Sequence, residues 1–312
     1  MSEQGSLHGS PESTLSLDPE IQNTVELYGR FYQEISVEQS IYCVPIDEVE
    51  LERLTRQHRA LQRVFEDRLI FPPVSGPRKI LDCGCGPAAW ATDVAERYPE
   101  SEVIGIDLSP HMAPDPTPYN FWFQIDDLNK PFTFQEGDFD FVHSRCVSPG
   151  LDRTRWDTYI RDCFRVLKSG GWLQMVEFYY NVQSDNGSLT DSHALRRWSD
   201  MYLRANDQSR DLRAPLRFRT LFDQAGFVDV ETRMIPVHLS GWSKNDNERI
   251  IGEAYKEVFR ATLSALGLHP LINNFGLSLN QAQVLIASAR HELDNLSYRP
   301  YLGLYVSIGR KP

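Results

Sequence analysis

Residues 80–90, ILDCGCGPAAW, combine four features that few folds accommodate together: an apolar run of strand length, an acid, two glycines one residue apart, and a helix-forming stretch that begins at once. Glycine admits a close backbone approach that a Cβ would block, and the first turn of a helix offers N–H groups without intrahelical partners. A strand that runs through such a turn into a helix opens a parallel α/β sheet built around a nucleotide-like ligand.

The segments downstream keep that alternation. KILDC (79–83), EVIGID (102–107), NFWFQID (120–126), DFDFVHS (138–144) and GWLQMVEF (171–178) have the length and apolar content of strands. AAWATDVAERY (88–98) and TRWDTYIRDCFRVLKS (154–169) read as the helices between them, the second stopped by Gly170-Gly171. Residues 218–239 repeat a helix, a turn and a strand, and YLGLYVSIGR (301–310) closes the chain with a further strand. The apolar spacing of Val49, Leu51, Leu54, Leu61 and Val64 predicts a helix from Asp47, its N-cap, to about Leu69. The expected organisation is therefore a disordered tail at 1–20, an N-terminal helical segment at 21–75, and a main domain at 76–312 with helical insertions near 181–214 and 241–300.

Charge and cysteine usage narrow the class. Lys and Arg number 32 against 43 Asp and Glu, a net charge of −11, which disfavours nucleic acid as the main partner. No stretch approaches the ~20 apolar residues of a membrane helix, and the N-terminus has neither a basic region nor an apolar core, so no membrane association is expected. Five cysteines without paired CxxC motifs suit reduced thiols in an intracellular compartment, the cytoplasm by default and the nucleus for a regulator. Cys83-x-Cys85 lacks a second pair, so no metal is expected.

Spacing alone leaves the ligand open. Gly84-x-Gly86-x-x-Ala89, with Asp107 21 residues beyond Gly86, also satisfies the dinucleotide fingerprint. Asp82 tips the balance, because its charge would repel a pyrophosphate and attract the sulfonium and ammonium of S-adenosylmethionine.

Residues 103–110 (VIGIDLSP), 123–127 (FQIDD) with Pro131-Phe132, 139–145 (FDFVHSR) and 167–172 (LKSGGW) follow the glycine turn in an order that resembles the class I S-adenosylmethionine-dependent methyltransferases, from about Tyr28 to the C-terminus. The resemblance implies an α/β, Rossmann-like seven-stranded sheet with the last strand antiparallel beside the fifth, and helical insertions as a cap. It also implies that S-adenosylmethionine is held by Asp82, Gly84, Cys85, Gly86, Trp90, Asp107, Leu108, Met112, Asp126 and Asp127, with Asp107 at the ribose and Asp126 or Asp127 at the adenine. PIDEVELERL (45–54), Gln57-His58, the HSR ending in Arg145, Trp90, the Asp126-Asp127 pair and the terminal GRKP narrow the resemblance to the LaeA-like methyltransferases of fungal secondary metabolism. Pro87-Ala88 departs from the Thr-Gly pair common there and removes one backbone donor.

For the chemistry, His143 at the end of the fourth core strand is the expected general base, with His238 a weaker candidate. Tyr179 and Tyr180 could wall an acceptor pocket or fill the core, and Arg145 joins them as an expected substrate contact. Seven arginines between Arg196 and Arg219 read as a solvated face or as a fork for an acidic group, and Tyr28, Arg30 and Tyr32 as a lid or a docked segment. The expected activity is methyl transfer to a small secondary metabolite at O, N, S or C. The alternatives are a regulator acting through protein partners and an enzyme of the same fold catalysing a non-methylating cyclisation. A homodimer stays open.

Overall fold

The computed structural model describes residues 19–312, so residues 1–18 of the expected tail lie outside it. Residues 19 and 20, also assigned to that tail, instead begin a single 3-10 turn, Pro19–Gln22. Strands β1 (Thr24–Leu27) and β2 (Arg30–Gln33) then form an antiparallel hairpin where only helix was expected. Tyr28 and Gly29, both at positive φ, make the two-residue turn that such hairpins favour. A short helix α1 (Glu34–Glu38) follows, and α2 (Glu48–Val64) starts where the sequence placed its cap, the Asp47 carboxylate accepting from the Glu50 N–H. Helix α2 stops five residues before Leu69, with Glu66 and Asp67 at positive φ and Pro72-Pro73 beyond.

The sheet is built from β3 (Lys79–Cys83), β4 (Glu102–Asp107), β5 (Phe121–Ile125), β6 (Phe139–Arg145), β7 (Leu167–Gln183), β8 (Val228–His238) and β9 (Tyr301–Arg310). Its order is β5-β4-β3-β6-β7-β9-β8, parallel from β5 to β7, with β9 antiparallel to both neighbours. Helix α3 (Ala89–Arg97) covers one face through Trp90, Ala91 and Val94, packed on Ile80, Val103 and Phe141. Helices α4 (Trp156–Val166) and α6 (Phe218–Ala225) cover the other through Trp156, Tyr159, Phe218 and Phe222.

Strand β7 corrects two expectations. It begins directly at Leu167, so Gly170-Gly171 lies inside a strand rather than ending a helix, and it runs 17 residues to Gln183. Phe178, Tyr179 and Tyr180 are thus strand residues, and the first insertion begins three residues later than expected. The strand's far end enters a second core formed with α5 (Ala194–Asn206), α7 (Asp246–Ala265), α8 (Leu268–Asn273) and α9 (Leu279–Glu292). Trp198 stacks on Tyr202 with ring centroids 4.9 Å apart, and Phe178 meets Tyr255 at 5.4 Å. Each such fully buried large side chain contributes about 1.5–3 kcal/mol. Helix α2 is locked to this cap by the buried Arg53, which donates to Glu50, Gln57 and the Thr262 hydroxyl of α7. Among the described residues no helix is long and apolar enough to cross a membrane.

Candidate active site

The carboxyl ends of β3, β4 and β6 converge on the glycine turn. Gly84 sits at φ +67°, and a Cβ there would lie 2.6 Å from Val147 Cγ1, so this position tolerates no side chain on two counts. The Gly84 and Cys85 N–H groups both donate to the Ile106 carbonyl, tying the turn to β4. Asp107, at the end of β4, accepts from the Gly86 N–H at 2.8 Å and the Ser109 N–H at 3.1 Å. Burial pushes its carboxyl above the ordinary range, and these N–H groups pull the other way. Asp126 accepts from the Asp127 N–H, and Asp127 from the Asn129 N–H, so both side chains are fixed in a turn beside Asp107.

Two adjacent cavities of about 80 Å³ each follow this edge, sharing Tyr42, Gly84, Asp107 and Cys146 as lining. Leu108, Asp126 and Asp127 border the first, and Asp82, Cys85, Gly86, His143 and Arg145 the second. Among the lining residues to which the sequence reading gave no site role are Tyr42, Gln57, His58 and Cys146. Cys146 follows β6 at φ +59°, its N–H bonded to the Val176 carbonyl and its Sγ accepting from Gln57 Nε2 at 3.4 Å. Its place directly after the HSR triplet was the available signal.

Several expected residues stand elsewhere. Trp90 and Met112 do not line either cavity. Met112 is buried beneath its own 3-10 turn, and Trp90 stacks on the His143 ring at 3.7 Å while donating to the Leu69 carbonyl. The cause is register: Trp90 lies one residue into α3, on the helix face turned to the sheet. Tyr180 is buried against Phe178 and Tyr202, and neither it nor Tyr179 reaches the cavities, because β7 carries both past the sheet edge into the cap core.

His143 lines the second cavity at 1% exposure, with Nδ1 2.7 Å from Asp82 Oδ1. A carboxylate requires a donor, so Nδ1 carries the proton and Asp82 is engaged by the ring. Burial lowers the His143 pKa, opposed by the Asp82 charge, so the ring is neutral. A second dyad lies alongside: His58 Nε2 is 2.7 Å from Asp93, and its Nδ1 accepts from Arg145 at 3.1 Å. Burial lowers this pKa as well. His238 ends β8 against Trp242 and lines neither cavity. Arg196, Arg204, Arg213, Arg217 and Arg219 make ion pairs with nearby aspartates. Arg30 is held by Asp47, the Tyr28 hydroxyl accepts from Asn273 of α8, and Tyr32 is buried, so the hairpin is docked on the cap and on α2. Cys83 and Cys85 point to opposite sides of the turn, and among the described residues no cluster of His, Cys, Asp or Glu is arranged to hold a metal ion.

The cradle left by Gly84 and Gly86, the buried acid at the end of β4 and the acid pair after β5 fit an adenosine-bearing sulfonium cofactor, which supplies an electrophilic methyl group when bound. With the strand order, they agree with the class I S-adenosylmethionine-dependent methyltransferase arrangement that the sequence resembles. Residues 80–171 match the family described as a methyltransferase domain. Over nearly its whole length the chain is also similar to LaeA proteins. It is 28% identical over 98% of its length, and 82% of the relative's, to the secondary metabolism regulator laeA of Aspergillus fumisynnematus. The same figures hold for the protein-methionine methyltransferase laeA of Emericella nidulans. Among solved structures it is similar to phosphoethanolamine N-methyltransferase 2 of Haemonchus contortus, solved with phosphomonomethylethanolamine and S-adenosylhomocysteine, at 18% identity and a TM-score of 0.48 over 82% of this chain. The chain spans about half of that protein, 52%.

Proposed function

We propose that the protein transfers the methyl group of S-adenosylmethionine to an oxygen-rich small molecule, a secondary metabolite, that is held in the helical cap and reaches past residues 40–44 to put its acceptor atom in the cofactor cleft. The observation that carries this reading is a cavity of about 340 Å³ between residues 40–44, helix α5 with the turn that follows it, and α8 with Leu266, one chain width from the cofactor cleft. Ser40, Cys43 and Val44 face it, whereas Ile41 and Tyr42 face the cleft. Its volume suits a small organic ligand. Asn206, His269 and Asn274 line it together with Arg204, which also pairs with Asp200, and no carboxylate does, which suits an acceptor bearing carbonyl or hydroxyl oxygens.

In this reading Gly84, Cys85, Gly86, Asp107, Leu108, Asp126 and Asp127 hold the cofactor. Asp82 holds His143 through Nδ1–H, which leaves Nε2 able to take a proton where the acceptor requires it, whereas both nitrogens of His58 are occupied. An acceptor atom that is nucleophilic at neutral pH then needs positioning more than deprotonation. Incubation with methyl-tritiated cofactor and, separately, the metabolite and protein fractions of a fungal extract tests the proposal. Label in a small molecule that has gained one CH₂ supports it. Label confined to protein supports the protein-acceptor reading suggested by the Emericella nidulans relative's name, and a product of unchanged mass supports cyclisation.

A further inference from the structure

Arg210 stands apart from the other arginines between 196 and 219. It is 6% exposed, and all five of its N–H donors are used. Nε donates to the Pro149 carbonyl, Nη1 to the Asp152 carboxylate and the Ser209 carbonyl, and Nη2 to the carbonyls of Ser40 and Ile41. Four of the five acceptors are thus backbone atoms from three separate segments. Two of those segments lead directly into the wall of the cofactor cleft. Ile41 and Tyr42 line the cleft, and Pro149 precedes Gly150, which lines it too. Tyr42 lies flat on Gly150, where a Cβ would meet its ring at 2.9 Å. Arg210 itself borders the cap cavity on the far side of the wall.

We propose that Arg210 is a positioning residue for cofactor binding: from the cap side it ties Ser40 and Ile41 to Pro149 and thereby holds Tyr42 against Gly150 over the cleft. It touches no cofactor atom and acts through the wall. The inference rests on placing the cofactor at Gly84–Gly86 but not on the nature of the acceptor. A half-exposed ion pair adds little, so the carbonyl contacts carry the effect and the Asp152 contact does not.

The test is calorimetric titration of the purified full chain with S-adenosylhomocysteine, alongside amide hydrogen exchange. Removing these charged hydrogen bonds in Arg210→Met is expected to weaken binding by about tenfold or more. Exchange should rise at residues 40–44 and stay unchanged in α7 and α9. Arg210→Lys, which retains charge and three donors, is expected to recover part of the affinity, and Asp152→Asn to stay within about twofold of the native chain. Gly84→Ala separates the two readings, since native-like binding by that variant overturns the placement of the cofactor itself. If Gly84→Ala abolishes binding while Arg210→Met does not weaken it, Arg210 has no positioning role. Equal losses in Asp152→Asn and Arg210→Met, no recovery in Arg210→Lys, or exchange raised across the whole cap also overturn the proposal.

Discussion

Replacing Glu177 with glutamine isolates one buried charge. Glu177 lies in β7 with no exposed surface, its carboxyl accepting the Val147 N–H at 2.6 Å and the Ser148 N–H at 3.4 Å. Burial pushes its pKa from 4.5 up to about 7, against the pull of those N–H groups. The folded-state value lies above the unfolded one, so the fold favours the neutral acid: the stabilisation is full below pH 4.5 and is lost as pH rises through about 7. From 4.5 to about 7, at roughly 1.4 kcal/mol per pH unit, the full loss is about 3.5 kcal/mol. The neighbouring groups stay neutral across that window, because burial pushes the Cys146 thiol up to about 12 and raises the Tyr202 phenol as well. In Glu177→Gln the amide oxygen still accepts from Val147, and its NH₂ can donate to the Ser148 hydroxyl beside it. Urea unfolding at intervals from pH 5 to 8 should give a native curve that falls relative to the variant's by about 2.5 kcal/mol. The lowered histidines His58, His143, His238 and His269 push the other way in both proteins and cancel in the difference. Two parallel curves would refute the reasoning.

Gly84→Ala should destabilise the chain by about 2–4 kcal/mol, from left-handed strain plus the overlap with Val147, and eliminate S-adenosylhomocysteine binding, as read by thermal shift and calorimetry. His143→Phe keeps the stack on Trp90 but strips Asp82 of its donor; chemical denaturation should show a loss of about 2–3 kcal/mol, partly restored by adding Asp82→Asn. Arg53→Met leaves Glu50 charged and unpaired at 1% exposure, and should cost about 3–5 kcal/mol in urea unfolding, much of it recovered in the double variant with Glu50→Gln.

The parallel sheet was legible because apolar runs alternate with helices, its full strand arrangement came through the family resemblance, and the glycine turn was legible because positive φ and close approach select glycine. Patterning shows that a side chain is buried but not which neighbour buries it. Trp90 sits beside the turn in sequence yet faces the sheet, and Tyr180 ends a run of strand residues yet belongs to the cap core. The β1–β2 hairpin escaped because its two four-residue strands are too short to show alternation. Among seven similar arginines, only the carbonyls brought together by folding single out Arg210.

Strand β7 spans both halves of the molecule. Its first part pairs with β6 at the cofactor edge, and its last part, beyond a break in register with β9 between Tyr179 and Gln183, anchors the cap. A single continuous beam therefore carries the cleft floor and the roof above it. Such a joint resists hinging, because swinging the cap would bend the strand that bears Glu177 and tear the contact between α2 and α7. Exchange between the cap cavity and the cleft then falls to the thin 40–44 partition, where a few backbone groups, rather than a whole layer of helices, need to give way.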